Sequence, residues 1–184
     1  MQSFRRCRWP ALIAALLMAL HGGYVQADSK TRIDDGAVAA LDRLREYSPE
    51  AGELLDKAAG VLVFPDVVKM GFGVGGQYGE GSLLIEGSPV AYYATAGASF
   101  GLLMGAQLKS EVVLFMTAES LAKFRGSHGW QAGVDSSVAL FKLGAGGSID
   151  TRKLAEPVIG LIFSNRGLIY NLTLEGSKIT PIAR

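Results

Sequence analysis

The rhythm of apolar and polar residues along the chain changes once, near residue 60. Before that point Ile33, Ala37, Val38, Leu41 and Leu44 recur three and four positions apart as far as Tyr47, the spacing of one face of a helix. Asp34 and Asp35 fall in its expected first turn, where carboxylates meet the positive end of the helix dipole. Ser48-Pro49 predicts a second helix, with serine as N-cap, proline at the first helical position and Gly60 as the expected C-cap. Beyond Val61 the period falls to two. Val-Leu-Val-Phe runs to a stop at Pro65, followed by a glycine-alternating stretch, Ser82–Glu86, a turn at Gly87-Ser88-Pro89, Val90 onward, and a β-branched run from Glu111 to Met116. A third helix is expected from Thr117 as N-cap to Gly126, with Met116 and Leu121 placed as a hydrophobic staple. Strand patterns resume at Trp130–Val134, Ser137–Leu143, Val158–Ser164, Gly167–Leu174 and Lys178–Ile182, with turns at Asn165-Arg166-Gly167 and Glu175-Gly176-Ser177. Strands joined by short turns predict an α+β fold: a curved, antiparallel, glycine-rich β-sheet of barrel-like curvature with about three helices.

The glycines themselves alternate. On an extended strand Gly71, Gly73, Gly75, Gly79 and Gly81 share one face with Gln77, while Phe72, Val74 and Tyr78 share the other. Thr95, Gly97, Ser99, Gly101 and Gly105 repeat the pattern, and Gly144 and Gly146 give a shorter version of it. A strand bare on one face gives up packing and backbone entropy. The bareness therefore predicts a curved sheet whose concave face is closely approached by another backbone, a helix or a ligand.

Composition alters this picture at the amino terminus. Arg5, Arg6 and Arg8, the apolar run Ala11–Leu20 and the small-residue site Val25-Gln26-Ala27 read as a secretory signal peptide over residues 1–27, leaving 28–184 as a single domain. The general export route fits better than the twin-arginine one. The run is too short to span a bilayer comfortably. Cys7, the only cysteine, precedes the apolar run, so the mature chain is expected to carry neither a disulfide nor an amino-terminal lipid anchor. Cleavage takes three arginines from the 18 basic residues and none of the 17 acids. The resulting slight negative excess disfavours broad attraction to nucleic acid or anionic membrane, so any anion binding must come from a local patch.

Several motifs carry less chemistry than their letters suggest. Gly71-Phe-Gly-Val-Gly-Gly76 matches G-x-G-x-x-G, but the residues after it have strand and turn composition, and the dinucleotide mechanism needs a helix to begin there. Gly97-Ala-Ser-Phe-Gly101 matches a nucleophile elbow, with Ser99, His128 and Asp135 or Asp150 as the triad on paper. Both acids follow the histidine, the reverse of the order that motif requires. One histidine in the mature chain and scattered acids give no metal site, and no cofactor is implied. The sequon Asn171-Leu172-Thr173 sits inside a strand pattern, and helices interrupt strands that are too apolar on both faces for a membrane barrel. Two features remain. The bare faces of Gly71, Gly73, Gly75, Gly97 and Gly101 would line an apolar groove, and Lys69, Lys109, Lys123, Arg125 and Lys142 are candidate phosphate contacts among the cations at turns and helix ends, which also include Arg152 and Lys153.

Gly60-Val-Leu-Val-Phe-Pro65, the Gly71–Gly81 stretch, Gly133–Leu140, Gly144–Asp150 and Phe163–Gly176 together resemble the SYLF domain, a lipid-binding or actin-patch-protein-like domain, over about Ala58–Ile182. The resemblance implies a non-enzymatic module that binds membrane lipid. Eukaryotic relatives bind phosphoinositides, often aided by an amino-terminal amphipathic segment and basic residues, and fungal relatives also bind actin filaments. Here the first helix is acidic on its polar face and no basic cluster precedes Ala58. The expectation is an exported protein of the periplasm or beyond that binds an anionic membrane phospholipid through a local basic patch and an apolar groove, with no nucleic-acid or actin partner. The alternatives are an envelope interaction protein without a lipid ligand and, third, a serine hydrolase using Ser99.

Overall fold

The computed structural model describes residues 29–131, 134–143, 155–167 and 177–184. The signal-peptide segment, the Gly144–Asp150 repeat, the expected strand Gly167–Leu174 beyond its first residue and the Asn171 sequon lie outside them. The elements in order are α1 (Lys30–Tyr47), α2 (Pro49–Lys57), β1 (Gly60–Ile85), β2 (Ser88–Phe115), α3 (Ala118–Arg125), β3 (Trp130–Gln131), β4 (Ala139–Lys142), β5 (Val158–Gly167) and β6 (Ser177–Ile182).

The helices start where hydroxyl side chains can satisfy free amides. Ser48 Oγ accepts from the Ala51 amide at 3.2 Å and Thr117 Oγ1 from the Ser120 amide at 3.1 Å. For α1 the cap is Ser29, not a residue beside Ile33, so Asp34 and Asp35 lie beyond the first turn. Its buried stripe is Ile33, Ala37, Ala40 and Leu44, while Val38 faces outward at 55% exposure. α2 stops at Lys57 with Ala58 as its cap. Gly60 instead opens β1, where an added Cβ would lie 2.8 Å from Leu121 Cδ1.

β1 is one strand, although its sequence reads as three pieces. Pro65 and Asp66 sit in a bulge between Phe64 and Val67, the position in a ladder that tolerates a residue without an amide hydrogen. Ser110 Oγ donates to the Pro65 carbonyl at 2.7 Å and pins the bulge. Ile85 pairs with Ser88 around Glu86 (φ 51°) and Gly87 (φ 76°). Two left-handed residues match the two-residue hairpin turn whose twist suits its strands, one residue earlier than expected. β2 runs unbroken through Glu111 to Phe115 and is the centre of the sheet. β1 covers one edge; on the other, β6 pairs with Tyr92–Gly97 and β5 with Gln107–Phe115. The expected turn at Asn165-Arg166-Gly167 is strand, with Arg166 opposite Leu108 and Gly167 opposite Gln107. Among the described residues every strand pair is antiparallel except β4 beside β5, which run parallel.

The sheet is strongly curled into a half-barrel. Tyr93 and Phe115 stand 22 positions apart on β2, about 70 Å along a straight strand, yet their rings lie 4.8 and 4.6 Å from that of Phe124. The β1–β2 hairpin is therefore folded double. β1 shows the same closure: a Cβ on Gly79 would come within 2.8 Å of the Asp66 carbonyl oxygen, and one on Gly81 would overlap that of Val63. The backbone that approaches the bare face is the strand's own first arm. The crease between the arms falls at Gly71–Gly76 and Gly97–Gly105, where the ladder shifts register and Gly105 has φ 125°. Glycine is concentrated where the strands must bend and the arms must meet.

Curling divides the core in two. Outside, α1 and α2 pack on Val63, Leu84, Val112, Leu114, Ile159 and Leu161. Inside, α3 presses Leu121 and Phe124 onto Phe64, Val67, Tyr93, Val113, Phe115 and Trp130. Met116 packs with the outer set and Leu121 with the inner, so the expected staple does not form.

Candidate functional site

The inner face is apolar where α3 fills it and polar toward the crease. Residues 107, 109 and 111 of β2 continue the side of the strand that carries Val113 and Phe115, so Gln107, Lys109 and Glu111 point inward. Lys69, opposite Gln107 on β1, joins them, and the other arm contributes Gln77, Thr95 and Ser177. Lys69, Thr95, Gln107, Lys109, Glu111 and Ser177 are all buried. Lys109 Nζ lies 2.6 Å from Glu111 Oε1 with both side chains at 0% exposure. Gln77 Nε2 donates to Ser177 Oγ across β2, within that arm.

Lys109 and Glu111 form a buried pair, and Lys69 lies close enough to act on both, an arrangement that is costly to desolvate. Burial pushes the Glu111 carboxyl above the usual carboxylate range, against the pull of Lys109 and Lys69. Burial, and then the neighbouring Lys109 charge, hold Lys69 below the usual lysine range, with Glu111 opposing. Glu111 Oε2 and Thr95 Oγ1 find no hydrogen-bond partner among the described residues. An ammonium has three donors, so beyond its contact with Glu111 the Lys109 group can serve further acceptors. Buried polar groups in this state mark this charged chamber, the interior between the arms, as the candidate site.

The five cations singled out from sequence fall into separate groups. Lys69 and Lys109 meet in the chamber. Lys142 shares the inner face at the same level, since it pairs with Ile162 and Ile162 with Glu111, but it is exposed at the sheet's rim. Lys123 and Arg125 are exposed on α3 at the far end, where Lys123 Nζ donates to the Asp135 carbonyl at 2.8 Å. Gly71, Gly75 and Gly97 line the inner face by register, with Gly71 and Gly97 half-buried; Gly73 and Gly101 lie at the crease, and their side of the sheet is not described. Glu111 and Gln107 were not apparent from sequence as site residues. Their signal was parity: polar residues in step with an inward-facing apolar run.

The paper motifs do not assemble. Gly71–Gly76 is mid-strand, with no helix starting there, and Ser99 pairs with Gly75 inside β2 rather than at a strand-to-helix turn. Asp135 accepts from the Gln131 amide at 2.6 Å, and His128 is exposed. Among the described residues no group of three His, Cys, Asp or Glu side chains could hold a metal ion. Nor is any described helix long and apolar enough to cross a membrane. A cleft of about 560 Å³ opens on the outer side between α1, α2 and the hairpin turn, floored by Leu41, Leu55, Val61 and Leu84. The charged pair on its lining, Arg45 and Asp56, is already bridged at 3.2 Å.

Residues 96–183 match the family model Ysc84, described as Las17-binding protein actin regulator, a match consistent with a member of the SYLF domain family, which is associated with lipid binding and with actin regulation. The match takes in Gln107, Lys109 and Glu111 but begins after Lys69. No curated protein matches the chain.

Proposed function

We propose that this protein binds the phosphate-bearing head group of an anionic membrane phospholipid in the crease of the half-barrel, without transforming it. The observation that carries this reading is the burial of two lysines, Lys69 and Lys109, toward the crease, with Lys109 Nζ 2.6 Å from Glu111 Oε1. The phosphate accepts from the two ammoniums. Lys142 at the rim guides the anion inward, and exposed Lys123 and Arg125 touch an anionic surface. The export signal expected from the sequence of residues 1–27 supports a setting in the periplasm or outside the cell, with bilayers and not actin filaments within reach.

Co-sedimentation with phosphatidylglycerol and phosphatidylcholine vesicles tests this. The protein is expected to pellet with the former. The double variant Lys109→Met/Glu111→Leu should lose that binding while its stability is kept or raised, because apolar replacement of a whole buried ion pair is commonly neutral or stabilising by about 1–4 kcal/mol. Undiminished binding by a folded double variant would remove the chamber from the reading. Binding lost only in Lys123→Glu/Arg125→Glu would move the site to α3.

A further inference from the structure

We infer that anion binding in the crease is coupled to proton uptake by Glu111, so that the ligand is held with this carboxyl neutral. The inference rests on the binding reading above. Lys109 is the direct partner of Glu111, at 2.6 Å and with no exposure to water on either side. A phosphate oxyanion that takes the Lys109 ammonium leaves a carboxylate buried beside it with the same sign of charge and no water to screen it. A proton on Glu111 removes that repulsion and turns the carboxyl into a donor toward the anion.

The charged groups that face Glu111 are few among the described residues. Its own strand brings Lys109, β1 brings Lys69 and β4 brings Lys142, exposed at the rim; β5 and β6 contribute Ile162, Ser177 and Ile179 to this face. α3 approaches with Leu121 and Phe124. The carboxyl already stands above its ordinary range because of burial, so binding has only to raise it further. Between its free and bound values each anion takes up as much as one proton, and affinity weakens up to about tenfold per pH unit as pH rises.

Isothermal titration in two buffers of different ionisation enthalpy measures the uptake. The probes are sulfate and dihexanoyl phosphatidylglycerol below its micelle concentration, neither of which titrates between pH 5.5 and 8.5 by its own chemistry. About one proton per bound probe is expected for the native protein. Near zero is expected for Glu111→Gln, together with tighter binding that no longer varies with pH. Binding without uptake by the native protein, or uptake that persists in Glu111→Gln and so belongs to Lys69, would overturn the inference and leave the binding reading standing. If Glu111→Gln does not fold, Lys69→Met decides in its place: uptake that persists without Lys69 supports Glu111 as its source, and uptake lost with Lys69 overturns the inference. Uptake with sulfate alone supports the coupling and removes the lipid as its source; no binding of either probe overturns both.

Discussion

Replacing Gly81 by alanine tests the doubled hairpin directly. In β1 the new methyl would overlap the Val63 carbonyl oxygen and lie 2.7 Å from Phe64 Cδ1. Neither neighbour can yield cheaply: Val63 is held in the ladder opposite Val112, and Phe64 is fully buried in the inner core. Overpacking of this kind costs about 1–3 kcal/mol, and a rigid backbone on one side puts Gly81→Ala at the upper end, about 3 kcal/mol. For a domain of this size that lowers Tm by roughly 6–12 °C. Gly76→Ala supplies the control on the same strand. There the nearest atom is the Gly97 carbonyl oxygen at 3.8 Å, an ordinary contact, so the alanine should stabilise by about 0.4–1 kcal/mol through the unfolded chain. Urea unfolding of both variants beside the native protein gives the two values. Equal midpoints for Gly81→Ala and the native protein would show that β1 does not close on its own first arm.

Two further perturbations probe the charged interior and the docking of α1. Because Glu111 titrates above its unfolded value of about 4.5, the folded state holds a proton that the unfolded state has lost, and stability falls as pH climbs from that value through the folded pKa. Glu111→Gln should flatten this part of a stability–pH curve measured by urea unfolding and raise stability at neutral pH; an unchanged slope would remove Glu111 as the cause. Tyr92 donates to Asp34 at 2.8 and 3.0 Å, tying α1 to the sheet, and its hydroxyl is pushed up to about 12 by desolvation first and the Asp34 contact second. Tyr92→Phe should cost about 1–2 kcal/mol and abolish the stability loss between pH 10 and 12 that this tyrosine causes, both read by thermal melts.

What the sequence made legible was local chemistry. Ser48, Thr117 and Gly126 mark helix ends because capping depends on a few adjacent atoms, and the glycine parity of β1 is visible because strand faces alternate without reference to the rest of the fold. The continuity of β1 was not legible: Pro65 ends a strand by propensity, and only the Ser110 hydroxyl, 45 positions away, shows that the ladder resumes. The same long-range closure hid the chamber. Lys69 and Lys109 look like ordinary surface cations until the hairpin is folded over them. Lys123 and Arg125, on the last turn of α3, do lie on the surface as their positions suggest.

The Glu86-Gly87 turn also has a consequence for how the molecule forms. Pairing can spread outward from this tight corner one rung at a time, so that even Gly60 and Phe115, the outermost partners, meet without a separate loop closure at each step. A ladder of high nominal contact order is then assembled as a series of short local events on the microsecond scale of hairpins. The contacts of Gly79 and Gly81 with the first arm form only when the finished ribbon doubles over. Zippering and doubling are distinct events, and the charged chamber exists only after the second.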